Sequence, residues 1–190
     1  MGLRRTVGPS MEPVTLAEAK AHLRVSASTE DGLIGALIVA AREIAENETG
    51  RSLISQTWKK TLDAFPRGIV LPYPPALAVT HIKYTDLDGV LQTLAPASYT
   101  LDKEQEPGWI TPAYGYAWPD VRAVVNAIEV VYTAGYGEDA GSVPQAIKQW
   151  ILLTVGHHFE NREASVAGVS IAPLPFLAGL LDPYRILAVI

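Results

Sequence analysis

The chain has 190 residues, of which 48% are hydrophobic and 18% charged, with 15 Gly and 14 Pro; this excludes a disordered chain and supplies enough apolar material for one compact unit rich in turns. Its 20 acidic and 15 basic side chains leave a net charge of −5, so bulk electrostatics argue against a general affinity for phosphate backbones. The absence of Cys removes disulfides, thiolate metal sites and cysteine nucleophiles, and is compatible with a reducing compartment.

Residues 1–12 carry Arg4 and Arg5 with no apolar stretch behind them, so they do not read as a secretory signal and are expected to form a flexible arm. Thr15 and Glu18 then stand at the spacing of a capping box, which predicts a short helix over residues 15–24 with Leu16, Ala19 and Leu23 on its apolar side. Ser28 or Thr29, followed by Glu30 and Asp31, opens a second helix over 29–49, with acids at its positive end. Its apolar residues Leu33, Ile34, Leu37, Ile38, Ala41, Ile44 and Ala45 recur at helical spacing, and Gly50 is placed to cap its C-terminus.

From Ser55 the period changes to two. Trp58 and Leu62 face one way and Thr57, Lys59, Thr61 and Asp63 the other, as on a half-buried strand. Pro66, Pro72, Pro74 and Pro75 isolate the short apolar run Ile69 to Leu71, and Val79 to Tyr84 reads as a further strand. Asp88-Gly89 is a hairpin turn signal, returning through Val90 to Leu94. Tyr99 to Asp102, Gly108 to Thr111 and Ala127 to Thr133 supply more strands, the last with Ile128, Val130 and Tyr132 on one face.

Ser142, Val143 and Pro144 start a third helix over 143–162, because proline costs little in a first turn whose amides lack partners. Ile147, Trp150, Ile151, Leu152, Leu153 and Val155 wrap much of its circumference, which predicts the most buried helix, packed on the second. The fold class expected is therefore α+β. Two N-terminal helices and one C-terminal helix form a helical core for a 13–163 domain, a small antiparallel sheet or sandwich is inserted at 54–134, and an extended tail follows.

That tail, 164–190, contains only Asp182 and Arg185 as charged residues, yet Pro173, Pro175 and Pro183 forbid one long helix, so it is not membrane-spanning. Leu174, Phe176, Leu177, Leu180, Leu181 and Tyr184, with Arg185, form an apolar run of the kind that a partner covers. The alternative is that the tail folds back on its own core.

Chemistry is sparse. His157 and His158 are adjacent, and on a helix they project about 100° apart, whereas a helical zinc motif places its histidines four apart. No G-x-S-x-G elbow or carboxylate pair on a catalytic frame is present. Gly135 and Gly137 follow a strand but lack a nearby Lys and precede Glu138 and Asp139, which repel phosphate. Asp86, Asp88, Asp102, Glu104 and Glu106 lack calcium-loop spacing and fall in turns. No cofactor and no enzymatic activity are expected. Trp109, Tyr114, Tyr116 and Trp118 leave open a β-rich carbohydrate-binding module as the alternative function.

The order of motifs nevertheless resembles a known family. Pro13 to Lys20 with His22 to Arg24, the second helix ending Glu48 to Arg51, Gln56 to Trp58, Leu62-Asp63, Phe65-Pro66, Leu71-Pro72 with Pro74-Pro75, Ile82 to Tyr84, Asp88-Gly89, Tyr99 to Asp102, Pro112 to Pro119, Tyr132 to Gly137 and Val143-Pro144 together are similar to the head-tail connector (adaptor) proteins of long-tailed phages and gene-transfer particles. The similarity runs from Pro13 to Glu163.

The resemblance implies a homo-oligomeric ring of about twelve subunits, assembled in the host cytoplasm and resident at the virion neck. Such a ring docks beneath a portal protein, joins a stopper or tail-terminator protein on its other side, and lets DNA pass without sequence-specific binding. It implies no membrane partner. Leu174, Phe176, Leu177, Leu180, Leu181, Tyr184 and Arg185 are then the expected portal contacts, and Arg42, Glu46, Trp150, His157 and Arg162, on the second and third helices, the expected ring contacts. Many modest tail contacts presented together give avidity, and the acidic excess keeps the channel from holding DNA.

Overall fold

The computed structural model describes residues 1–161 and 179–186. The chain divides into two compact units, one built from Met1–Ser10 with Ser55–Tyr136, the other from Met11–Ile54 with Gly137 onward. The single unit expected from length is thereby corrected, and the cause is the period of the pattern. Segments alternating every two residues bury one sheet face among themselves, while segments of 3.6-residue period bury helix stripes. The α+β class holds, with the strands inserted between helices of one unit.

The β unit contains β1 (Gly2–Val7), β2 (Gln56–Leu62), β3 (Ile69–Leu71), β4 (Ala76–Thr85), β5 (Leu91–Thr93), β6 (Tyr99–Asp102), β7 (Gly108–Pro112) and β8 (Ile128–Ala134). They form an antiparallel five-stranded sheet in the order β1-β2-β8-β4-β5 and a three-stranded sheet in the order β3-β7-β6. Alternation on β8 is strict, with Ile128, Val130, Tyr132 and Ala134 all buried. They join Leu62, Ile69, Leu71, Ile82 and Ile110 in one core, where each fully buried large apolar side chain stabilises by about 1.5–3 kcal/mol. The turn predicted at Asp88-Gly89 joins β4 to β5: Gly89 takes a φ of +86° that a side chain would strain, and Asp86 Oδ1 accepts from Val90 N at 2.8 Å.

One observation in this unit departs from the sequence reading, and a second adds to it. Residues 2–7 are not a flexible arm but the edge strand β1, paired antiparallel to β2 with Leu3 opposite Lys60 and Arg4 opposite Lys59. Lys60, which shares the inward face of β2 with Leu62, is buried, and its Nζ donates to Val70 O at 2.6 Å, linking the two sheets. Burial pushes its pKa down.

The helical unit contains α1 (Leu16–Leu23), α2 (Asp31–Thr49) and α3 (Gln145–Glu160), each in contact with the other two. The capping box is present: Thr15 Oγ1 accepts from Glu18 N at 3.1 Å, and Glu18 Oε2 accepts from Thr15 N at 2.7 Å. The bond from the Thr15 backbone is the main reason the Glu18 carboxyl lies below the usual carboxylate range. Glu30, not Ser28 or Thr29, stands at the N-cap of α2 and makes no side-chain cap bond; Lys20 Nζ instead holds Asp31 Oδ1 at 2.6 Å, tying α1 to the start of α2. Gly50 caps α2 in the left-handed conformation as expected. Pro144, with an extended ψ of 135°, stands just outside α3, so the helix begins at Gln145. Ile147, Trp150, Ile151 and Val155 bury its inner stripe, while Leu152 and Leu153 are half-buried.

Candidate interaction surfaces

Of the residues expected to reach a portal partner, Leu174, Phe176 and Leu177 lie outside the described residues, whereas 179–186 is seated on the helical unit. Leu181 is buried at 1% exposure and belongs to that unit's core. Arg51 Nε donates to Tyr184 O at 2.5 Å, and Ile186 N donates to Thr49 O at 2.8 Å, satisfying one carbonyl that the end of α2 leaves open. Arg185 reaches Glu48 at 3.0 Å and Asp182 at 3.4 Å. Over these eight residues the fold-back alternative describes the tail, and Leu181 is withdrawn as a free contact. Leu180 and Tyr184 are half-buried and Arg185 is exposed.

The expected ring contacts separate in the same way. Arg42, Glu46 and Trp150 are buried within the subunit. Arg42 bonds Glu12 through Nε at 3.1 Å and Glu46 at 3.1 Å, and Glu46 Oε1 in turn accepts from Leu53 N at 3.0 Å. Burial alone would depress the arginine's pKa, but Glu12 and Glu46 outweigh it and the net direction is upward. This network joins the segment before α1 to the end of α2, so its charges serve the subunit's own fold. His157 is exposed beside His158, their rings edge to face at 5.5 Å, and Arg162 lies outside the described residues.

A further surface runs along α2, a helix whose faces the sequence reading offered for ring closure. Its inner stripe is Ile34, Ile38, Ala41, Ala45 and Thr49, yet Leu33, Ala36, Ala40 and Ile44 on the opposite side are exposed, with Leu37 half-exposed between them. At about 100° per residue these five share one face, which runs over about 17 Å of the helix from Leu33 to Ile44. The signal was in the sequence: the apolar residues of α2 occupy a wider arc than packing on one neighbour requires.

The four aromatics of the carbohydrate alternative do not form one platform. Trp118 stacks on Phe65 with ring centroids 4.7 Å apart, against the β core, and Trp109 lies over Gly68. Tyr114 and Tyr116 alone are exposed, at the tip of a turn. Two of the five acids weighed for calcium are engaged as turn residues: Asp86 accepts from Val90 N and Gln92 Nε2, and Asp102 accepts from Glu104 N. Its bond from Gln92 is the first cause holding the Asp86 carboxyl below its ordinary range.

With this geometry in view, the chain can be set beside known proteins. Residues 13–93 match the model of the phage gp6-like head-tail connector protein family. No curated protein matches the chain. Among solved structures, a chain from the neck of an empty gene transfer agent (GTA) particle, computed with C6 symmetry, is 25% identical with a TM-score of 0.81, over 100% of this chain and 98% of that one. Chains from the virion of native GTA particle (TM-score 0.82) and from the neck of native GTA particle computed with C12 symmetry (0.76) are each 24% identical over the same shares, and agree in fold. The resemblance to head-tail connectors read from the order of motifs is borne out.

Proposed function

We propose that this protein is a head-tail connector, a structural, non-catalytic neck subunit of a phage or gene-transfer particle. In this reading it closes into a ring, of twelve copies by analogy with the relative computed with C12 symmetry. The ring docks under a portal protein, holds a stopper or tail-terminator on its other side, and leaves a passage for DNA. The observation that carries the reading is the end-to-end likeness, at 25% identity, to a chain of a GTA neck. The family match over 13–93 supports it independently.

Ring closure needs a head-to-tail interface between unlike faces of neighbouring copies. The outer stripe of α2 is our candidate for one of those faces, in place of Arg42, Glu46 and Trp150. It is apolar, continuous and carried on a rigid helix, whereas the charged network is occupied within the subunit. Portal docking is assigned to the tail residues before Gly179 together with Leu180, Tyr184 and Arg185. The anchored segment 179–186 then gives each tail a fixed point of departure.

Mass photometry of the purified protein, alone and mixed with the portal encoded beside it, tests the reading. A mass gain of one connector per portal subunit is expected; no association at any salt concentration sinks the connector role. Leu33→Asp with Ile44→Asp should abolish ring mass with unchanged circular dichroism, and Phe176→Asp with Leu180→Asp should abolish portal docking alone.

A further inference from the structure

The face of the five-stranded sheet opposite its core differs in charge from the rest of the molecule. Register places Arg4 on β1, Lys59 on β2, Val131 on β8 and His81 on β4 in one cross-strand row, and Gly2, Thr61, Glu129 and Lys83 in the next. Residues directly opposite across paired strands share a face. The neighbours Trp58, Lys60 and Leu62 on β2, with Val130 and Tyr132 on β8, point to the core side, so these two rows point away from it.

Three permanent cations, Arg4, Lys59 and Lys83, therefore stand on this face against one carboxylate, Glu129. That carboxylate is already contacted by Lys59 and by His81 Nε2 at 3.2 Å, and it lies below its usual range chiefly because of Lys59. Asp63, just past the end of β2, faces the terminal amine at 3.8 Å and accepts from Asn126 N at 2.7 Å. A depression of about 420 Å³ opens at the β1 end of the face, bordered by Arg4, Lys59, Thr61, Asn126 and Glu129. The chain as a whole carries −5, so a face with a cationic excess is a local reversal of sign.

We propose that this sheet face is a sequence-independent contact surface for the phosphodiester backbone of DNA. Three features select that ligand. The cations sit in two rows about 7 Å apart along the strands and about 5 Å apart per strand across them, a flat array suited to a line of charges more than to one small anion. The hydroxyls of Thr57 and Thr61, half-exposed on the same side of β2, add neutral donors of the type that holds phosphate oxygens. No aromatic side chain of these two rows is available for base stacking, so the contact reads charge and carries no sequence information. The connector reading enters only in choosing DNA among polyanions.

The test is fluorescence anisotropy of a labelled random-sequence duplex with the full-length protein, across a salt series starting near 20 mM, with mass photometry of the same samples. Three neutralised phosphates give a slope of log affinity against log salt of about −2.7. Lys59→Gln and Lys83→Gln should each reduce the magnitude of that slope by about 0.9, independent of duplex sequence. Glu129→Gln should move affinity the other way, tightening binding about threefold or more at the lowest salt, about 0.7 kcal/mol. No salt-dependent binding by the parent protein, a slope unmoved by both lysine changes, or weaker binding by Glu129→Gln each overturns the proposal; binding that survives both lysine changes assigns the DNA contact to another surface. Mass values that show a ring without DNA binding sink this proposal and leave the connector reading standing. DNA binding by a protein that gains no mass with the portal does the reverse.

Discussion

The N-terminal strand β1 and the C-terminal segment 179–186 are both docked, but they are held by different physics. All six residues of β1 are exposed, and it is held to β2 by main-chain pairing and by two side-chain bonds, from Arg5 to Gln56 Oε1 at 3.2 Å and from Thr6 Oγ1 to Thr57 O at 3.1 Å, with no side chain in a core. The C-terminal segment puts one large side chain, Leu181, into a core, and adds a buried arginine and a main-chain bond at a helix end. Net backbone hydrogen bonds contribute only about 0.5–1.5 kcal/mol each, against about 1–2 kcal/mol of conformational entropy per ordered residue. Burial of a leucine adds about 1.5–3 kcal/mol that β1 has no counterpart for. The C-terminal segment should therefore open only at substantial cost, while β1 should open and close readily.

The largest effect expected on this contrast is Leu181→Ala, which leaves a cavity in the helical unit and should lower stability by about 3 kcal/mol. Guanidinium unfolding should show a lower midpoint with an unchanged slope. A loss below about 1 kcal/mol would mean that the segment is only laid on the surface. Arg51→Ala comes next. It removes a charge-assisted bond to Tyr184 O, worth about 1.5–3 kcal/mol. Its distinguishing readout is the Ile186 amide, which should lose hydrogen-exchange protection while amides in the middle of α3 keep theirs.

How much of this was legible follows from how local each cause is. The Thr15–Glu18 box, the Asp88-Gly89 turn, the Gly50 cap and the alternation of β8 are each written within a few residues, and each appears as read. β1 was not legible: its run of Gly, Leu, two Arg, Thr and Val has no clean alternation, and its partner lies more than fifty residues away. Arg42 and Glu46 are an i, i+4 pair that reads as a surface pair on a helix; their further partners, Glu12 thirty residues before Arg42 and the Leu53 amide beyond the helix end, are tertiary. Lys60 is inward by period, but lysine is so rarely buried that period and composition disagree, and the bond to Val70 O that reconciles them is tertiary. The resemblance to the connector family, by contrast, was readable because its evidence is the order of many weak local motifs.

Deleting residues 1–8 tests the other side of the contrast. The loss should be about 1 kcal/mol, well below that of Leu181→Ala, because no large side chain leaves a core. In exchange experiments on the intact protein, the β2 amides that face β1 should exchange faster than those that face β8. Equal protection on both sides of β2 would mean that β1 is locked, and that its exposure misrepresents its hold.

The smallest effect is a slope rather than an offset, and it asks what β1 does for its neighbour. Leu3 lies opposite Lys60 on the inward side of the sheet, so β1 helps to keep water from a buried ammonium. Because burial lowers the folded-state pKa of Lys60 below its ordinary value of 10.5, the unfolded chain holds that proton more tightly. The penalty for burying the charge is complete below the folded pKa and is relieved as pH rises from there to 10.5, so Lys60 makes stability increase with pH through that alkaline window. Tyr132 acts in the opposite sense. Burial raises its pKa, and the unfolded chain loses the phenolic proton first, so its contribution falls as pH rises past 10.0. Only a difference isolates the lysine. Unfolding free energies of the parent and Lys60→Met, measured between pH 7 and 10, should converge as pH rises, with the variant the more stable at pH 7. The same pair built on the chain lacking residues 1–8 should converge less, because water then reaches Lys60 in the folded state. Parallel curves in both backgrounds would show that β1 contributes nothing to the burial of that charge, leaving the cross-sheet bond to Val70 O as its sole restraint.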